Sequence, residues 1–113
     1  MADINQNVAH DDETLLLVSG SKTSQNSKKY IDKLSKAILE VQAKHGIVKL
    51  RCVGAAALNN AEKAFIVARG EADKSGQDLV SRSYFTTVEF TDENNEVVEK
   101  TAILKEVVDE SEE

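Results

Sequence analysis

The pattern of apolar and polar positions along the chain predicts six elements, four strands and two helices, joined by polar segments. Thr14 to Val18, TLLLV, is an unbroken apolar run of the length of a buried strand. Ser19 to Ser27, SGSKTSQNS, is polar and predicts a loop ending in a helix cap. From Lys28 to Lys44 the pattern has helical period. Tyr30, Ile31, Leu34, Ile38 and Val41 form one stripe, and Lys29, Lys33, Lys36 and Glu40 form the opposite one. His45 and Gly46 close this helix with a cation-capable side chain and a C′ glycine. Ile47 to Val53 predicts a second strand, and Ala55 to about Ala72 a second helix that opens on very small residues. Leu79 to Thr91 is β-branched and aromatic, Asp92–Glu93–Asn94–Asn95 is a turn by composition, and Val97 to Val108 predicts a last strand. In that strand Val97, Val98, Ile103, Leu104, Val107 and Val108 fall on both faces. Proline is absent, and Gly20, Gly46, Gly54, Gly70 and Gly76 act as breaks between blocks. The expected order is βαβαββ in an α/β (α+β two-layer) domain over residues 14–108. A disordered acidic tail is expected at 1–13 and a second acidic tail at 109–113.

A strand–helix–strand unit such as 14–53 leaves its two strands parallel. Both helices then start at one edge of the sheet, after the segments SGSKTSQNS and Gly54–Asn60, GAAALNN. Small side chains there let backbone amides approach a ligand, and helix N-termini favour anions. Lys22 adds a full charge, and Ser21, Thr23, Ser24, Asn26 and Ser27 add neutral donors, an inventory suited to phosphate. Ordinary helix capping accounts for any one of these residues alone. Two such loops on one edge, beside a lysine stripe, point to phosphate. Neither GxxxxGK[ST] nor GxGxxG occurs, so this is not a nucleotide-binding loop of either type.

The 113 residues (12.4 kDa) make one domain, and 41% apolar content supports a modest core. No run of 18 apolar residues is present to span a membrane, and residues 1–13 are too acidic for a secretory signal. One cysteine and two histidines leave no intramolecular disulfide and no metal set, and a reducing cytoplasm is expected without metal or cofactor. The net charge of −6 is unevenly spread. Residues 1–13 carry −4, residues 14–91 carry +5, and residues 92–113 carry −7. A basic centre therefore lies between acidic ends.

Several further residues are candidates. On the second helix Ala57, Leu58, Ala61, Ala64, Phe65 and Ala68 share the core arc, while Ile66 and Val67 fall outside it. Two branched apolar residues there suggest a homodimer contact. Lys49 and Arg51 share a strand face and extend the basic surface if no helix covers it. Lys28 and Lys29 begin the basic face of the first helix. Arg82 and Tyr84 share a face and offer a cation and a ring, although Tyr84 and Phe85 also suit a core. Cys52 reads as an inert core thiol. No nucleophile–histidine pair or tuned acid pair is present, so an enzyme is not expected.

The segments VSGSKTSQNS, VGAAALNNAEKAFIVARG, SGQDLV and EKTAI resemble the stage V sporulation protein S family from about Leu15 to Val108. That resemblance implies an Alba-like fold, with two helices on one face of a four-stranded mixed sheet. It also implies a small, dimeric, non-enzymatic protein that binds RNA or DNA. Carried over, the contacts fall on Gly20, Ser21, Lys22 and Thr23 and on Gly54, Ala55 and Asn59. Alba proteins usually carry basic residues between their last two strands, whereas here that loop is Asp92–Glu93–Asn94–Asn95. Such a loop repels a long duplex and favours a single strand or structured RNA. The competing expectation is a protein-interaction adaptor that uses the apolar flank of the second helix and the acidic C-terminal end.

Overall fold

A computed structural model describes residues 8–9, 12–20 and 24–111, with the backbone alone at 8, 9 and 24–26. The elements are β1 (Val8–Ala9), β2 (Asp12–Val18), α1 (Ser24–His45), β3 (Ile47–Cys52), α2 (Ala55–Asp73), β4 (Leu79–Thr91) and β5 (Val97–Asp109). Four long strands and the two-residue β1 form a mixed sheet in the order β1-β2-β3-β5-β4. β2 and β3 are parallel, with Leu16 opposite Leu50 and Val18 opposite Cys52. β5 runs antiparallel to both β3 and β4. This is the expected βαβαββ order, with β1 added at one edge.

Both helices cover the same face. Leu16, Val48, Leu50, Cys52, Leu79 and Val107 point into one core with Tyr30, Leu34 and Ile38 of α1 and the alanines of α2. Ala57, Ala61, Ala64, Ala68 and Ala72 form the buried stripe of α2, with Phe65 the large residue among them. Cys52 is 1% exposed, and burial pushes its thiol up to about 11, so it is inert at neutral pH. α1 ends as expected, with Gly46 at φ 83° donating its amide to the Gln42 carbonyl at 2.7 Å.

Three boundaries differ from expectation. α1 starts at Ser24, four residues before Lys28, because its first turn is polar and carries no apolar period. Gly70 does not break α2, which continues to Asp73, and Gly76 at φ 83° makes the turn. The acidic ends are partly built into the sheet. Val8–Ala9 pairs with β2, and Asp12 opens β2 by bonding Lys49 Nζ at 2.7 Å and accepting the Thr14 amide at 3.0 Å. Asp109 closes β5, its Oδ1 accepting the amides of Asp78 and Ser111 at 3.0 and 2.9 Å. The remainder of the expected tails, residues 1–7, 10–11 and 112–113, lies outside the described residues.

β3 pairs with β5 only from Ile103 to Val108, whereas β4 and β5 stay paired out to Thr91 opposite Val97. Residues 86–91 and 97–102 therefore leave the sheet as a two-stranded arm. Because Cys52 is opposite Ile103, the arm extends past the C-terminal end of β3, on the edge where α2 begins. Its turn is fixed by Asp92 Oδ1, which accepts the amides of Asn94 and Glu96, both at 2.9 Å.

Candidate functional site

Parallel pairing of β2 and β3 puts the starts of α1 and α2 on one edge, and the segment after β2 touches the start of α2. A Cβ added at Gly20 would lie 2.8 Å from the Ala57 amide nitrogen and 2.9 Å from the Ala56 Cβ. Only glycine admits so close an approach of backbone to backbone. Two buried polar residues hold the segment in place. Asn60 of α2 donates from Nδ2 to the Ser19 carbonyl at 2.9 Å. The Ser19 amide donates to the Tyr30 hydroxyl of α1 at 2.8 Å. Ser19 and Gly20 are thus clamped between the two helices, and burial raises the Tyr30 phenol above its ordinary pKa.

On the other side of the contact, Gly54 caps α2 at φ 91° and ψ 162°, a conformation suited to glycine, and no side chain caps the helix. Gly54, Ala55 and Ala56 are exposed, as is Asn59, whose neighbour Asn60 is buried. Gly20, Gly54 and Ala55 therefore meet at one rim, with Asn59 on the exposed side of α2. Lys28 and Lys29 stand exposed on the first turns of α1. Ser21, Lys22 and Thr23 lie outside the described residues, as does the side chain of Asn26, whose backbone belongs to α1.

The remaining candidate cations, Lys49, Arg51 and Arg82, are on the opposite face of the sheet, which no helix covers. Register across β2, β3, β5 and β4 places Leu17, Arg51, Leu104 and Tyr84 in one row, and Leu15, Lys49, Glu106 and Arg82 in the next. Lys49 is held by Asp12 at 2.7 Å, and Arg82 Nε lies 3.9 Å from Glu106 Oε1. Tyr84 donates to Glu106 Oε2 at 2.7 Å, and that bond holds its proton more tightly. Lys49 and Arg82 are thus set against carboxylates on a separate surface, and do not join the rim. Arg51 has no ion pair among the described residues, and it sits one residue before the end of β3, beside the rim edge.

Ile66 and Val67 are 58% and 45% exposed, as their wheel positions required. They line a groove of about 480 Å³ between α1 and α2 together with Ser27, Lys28, Ile31, Asp32 and Lys63. Residues 21–110 match the family model of stage V sporulation protein S, SpoVS. The chain belongs to the SpoVS family. The match takes in both helices, β3, β4, the arm and β5, so it spans most of the rim and the whole groove. Among the described residues no helix is long and apolar enough to cross a membrane, and no cluster of three or more His, Cys, Asp or Glu residues could hold a metal ion. Sequence reasoning missed the two clamps. Asn60 sits at i+3 from Ala57 and one residue before Ala61, so its place on the buried arc was available from spacing. The Tyr30 bond to Ser19 left no such sign.

Proposed function

We propose that this SpoVS-family protein binds nucleic acid, favouring single-stranded or structured RNA over duplex DNA, and catalyses no reaction. Phosphates are held at the rim where the first loop meets the start of α2. It works as a cytoplasmic homodimer with Ile66 and Val67 in the contact. The observation that carries this reading is the seating of Gly20 on the first turn of α2, with two helix N-termini opening on the same edge. Amide donors and helix dipoles concentrated there favour an anion, and the exposed Lys28 and Lys29 add charge. Lys22, between Gly20 and the start of α1 in sequence, supplies the main ammonium. The acidic arm leaves the same edge and would lie against the backbone of a long duplex, which is why a shorter or more pliable RNA suits the surface.

The test is binding of a mixed-sequence RNA pool by the full chain and by Lys22→Glu. Loss of one phosphate contact weakens all sequences by a similar factor, about tenfold or more, and lowers the salt slope by about one. Equal affinity for parent and variant would remove Lys22 from the site. A second reading, an adaptor that binds protein and no nucleic acid, is favoured by the exposed Ile66 and Val67. A purified sample with the absorbance ratio of pure protein and no affinity for the RNA pool would select it.

A further inference from the structure

The arm has a face whose chemistry answers the groove. Continuing the helix-bearing side of the sheet outward from Cys52, Ile103 and Phe85, the next rows are Thr87 with Thr101, Glu89 with Glu99, and Thr91 with Val97. Phe85 is 77% and Val97 67% exposed, so this face presents apolar groups at both ends. Between them Glu89 and Glu99 oppose each other directly, and neither has an ion pair among the described residues. Like charges facing across a strand pair are unfavourable unless a cation answers them. Residues 86–102 carry five acids against Lys100, and that lysine lies over the Phe90 ring, 5.7 Å from its centroid.

The groove has the complementary composition. Ile31, Ile66 and Val67 provide its apolar wall, Lys28 and Lys63 are exposed along it, and neither lysine has an ion pair among the described residues. Asp32 is the single carboxylate in its lining. From Phe85 to Thr91 the arm face spans about 20 Å, enough to lay one row of acids and the apolar end at Val97 along two turns of helix. The arm extends away from the body that carries the groove's own lysines, and a second copy supplies both surfaces at once.

We propose that the arm of one copy docks in the α1–α2 groove of a second copy, with Glu89 and Glu99 against Lys28 and Lys63 and Val97 against Ile31, Ile66 and Val67. The exchange is reciprocal in a closed dimer, since each chain offers one arm and one groove. This rests on the proposed self-association and names what covers Ile66 and Val67. It also sets dimer contact and phosphate in competition for Lys28.

Sedimentation equilibrium of the full chain tests it through a charge exchange. The parent self-associates, and rising salt weakens the association. Lys28→Glu with Lys63→Glu, and separately Glu89→Lys with Glu99→Lys, each weaken it at least tenfold. The four substitutions together restore it to within about threefold of the parent, because attraction returns with the signs reversed. All four changes are made at exposed positions, and circular dichroism checks that each variant is folded. A parent that is monomeric at every concentration overturns both the dimer and the docking. A parent that dimerises, with a fourfold variant as weak as its parts or double variants equal to the parent, overturns the arm–groove docking and leaves the dimer to another surface.

Discussion

Gly20 and Asn60 are the two residues on which the rim depends most. The space at Gly20 is taken by the Ala57 amide and Ala56, so even one methyl group must displace backbone. Gly20→Ala is expected to cost about 1–3 kcal/mol in chemical denaturation and to weaken RNA binding. Asn60→Ala removes the donor to the Ser19 carbonyl and should cost about 1–2 kcal/mol, while Asn59→Ala on the exposed side stays within about 0.5 kcal/mol. Equal effects at the two asparagines would contradict the clamp. Asp12 gives a pH signature. Its bond to Lys49, helped by Thr14, lowers its pKa from 3.8 to about 2. The carboxylate is therefore held more strongly folded than unfolded. That contribution is complete above about pH 4 and is lost as the pH falls toward 2. Asp12→Asn should flatten the acid limb of stability over that window, and an unchanged limb would mean the pair contributes nothing. At this scale the breaks at Gly46, Gly54 and Gly76 and the apolar stripes were legible from spacing, whereas Gly70 was read as a break and lies inside α2. Clamps made by single polar atoms across 11 or 41 residues were not, because no local pattern records them.

Among the elements, β5 shows why a pattern can be ambiguous. It lies between β3 and β4, so its residues Ile103, Lys105 and Val107 face the helices while Leu104 and Val108 face the open side. The alternation is blurred because the open side is also apolar and because a lysine occupies a core position. Lys105 is 5% exposed, with its ammonium 2.7 Å from Glu62 Oε1, 2.8 Å from the Ser81 hydroxyl and 4.6 Å from the Phe65 ring centroid. It pins α2 to the sheet. Glu62 is half exposed and can be hydrated if its partner is lost, whereas the ammonium cannot. Glu62→Ala should therefore destabilise by about 1–3 kcal/mol, and Lys105→Met should cost less. Urea unfolding that ranks the two in the reverse order would contradict this account of the pair. α2 itself was readable along its length, and its passage through Gly70 is a tertiary effect, since packing of the alanine stripe outweighs the penalty of one glycine, about 1 kcal/mol.

For the molecule as a whole, charge is segregated in space as well as in sequence. Lysines gather on α1, with Lys28 and Lys29 on its first turns, and acids gather on the arm that leaves the edge where α2 begins. The βαβαββ order fixed this layout, because parallel β2 and β3 bring both helix starts to one edge and antiparallel β5 sends the arm past it. That convergence was legible before the structure. The arm's length was not, since nothing in the pattern of β4 and β5 says where β3 ceases to accompany them. The central claim, that this rim receives a polyanion despite a net charge of −6, predicts a specific response to ions. The most direct measurement is the affinity of the full chain for a single-stranded RNA as a function of salt. The account predicts a linear fall of log K with log salt, of slope about −0.7 for each phosphate contacted, with two or more contacts. A slope of zero, or no binding at low salt, would contradict it.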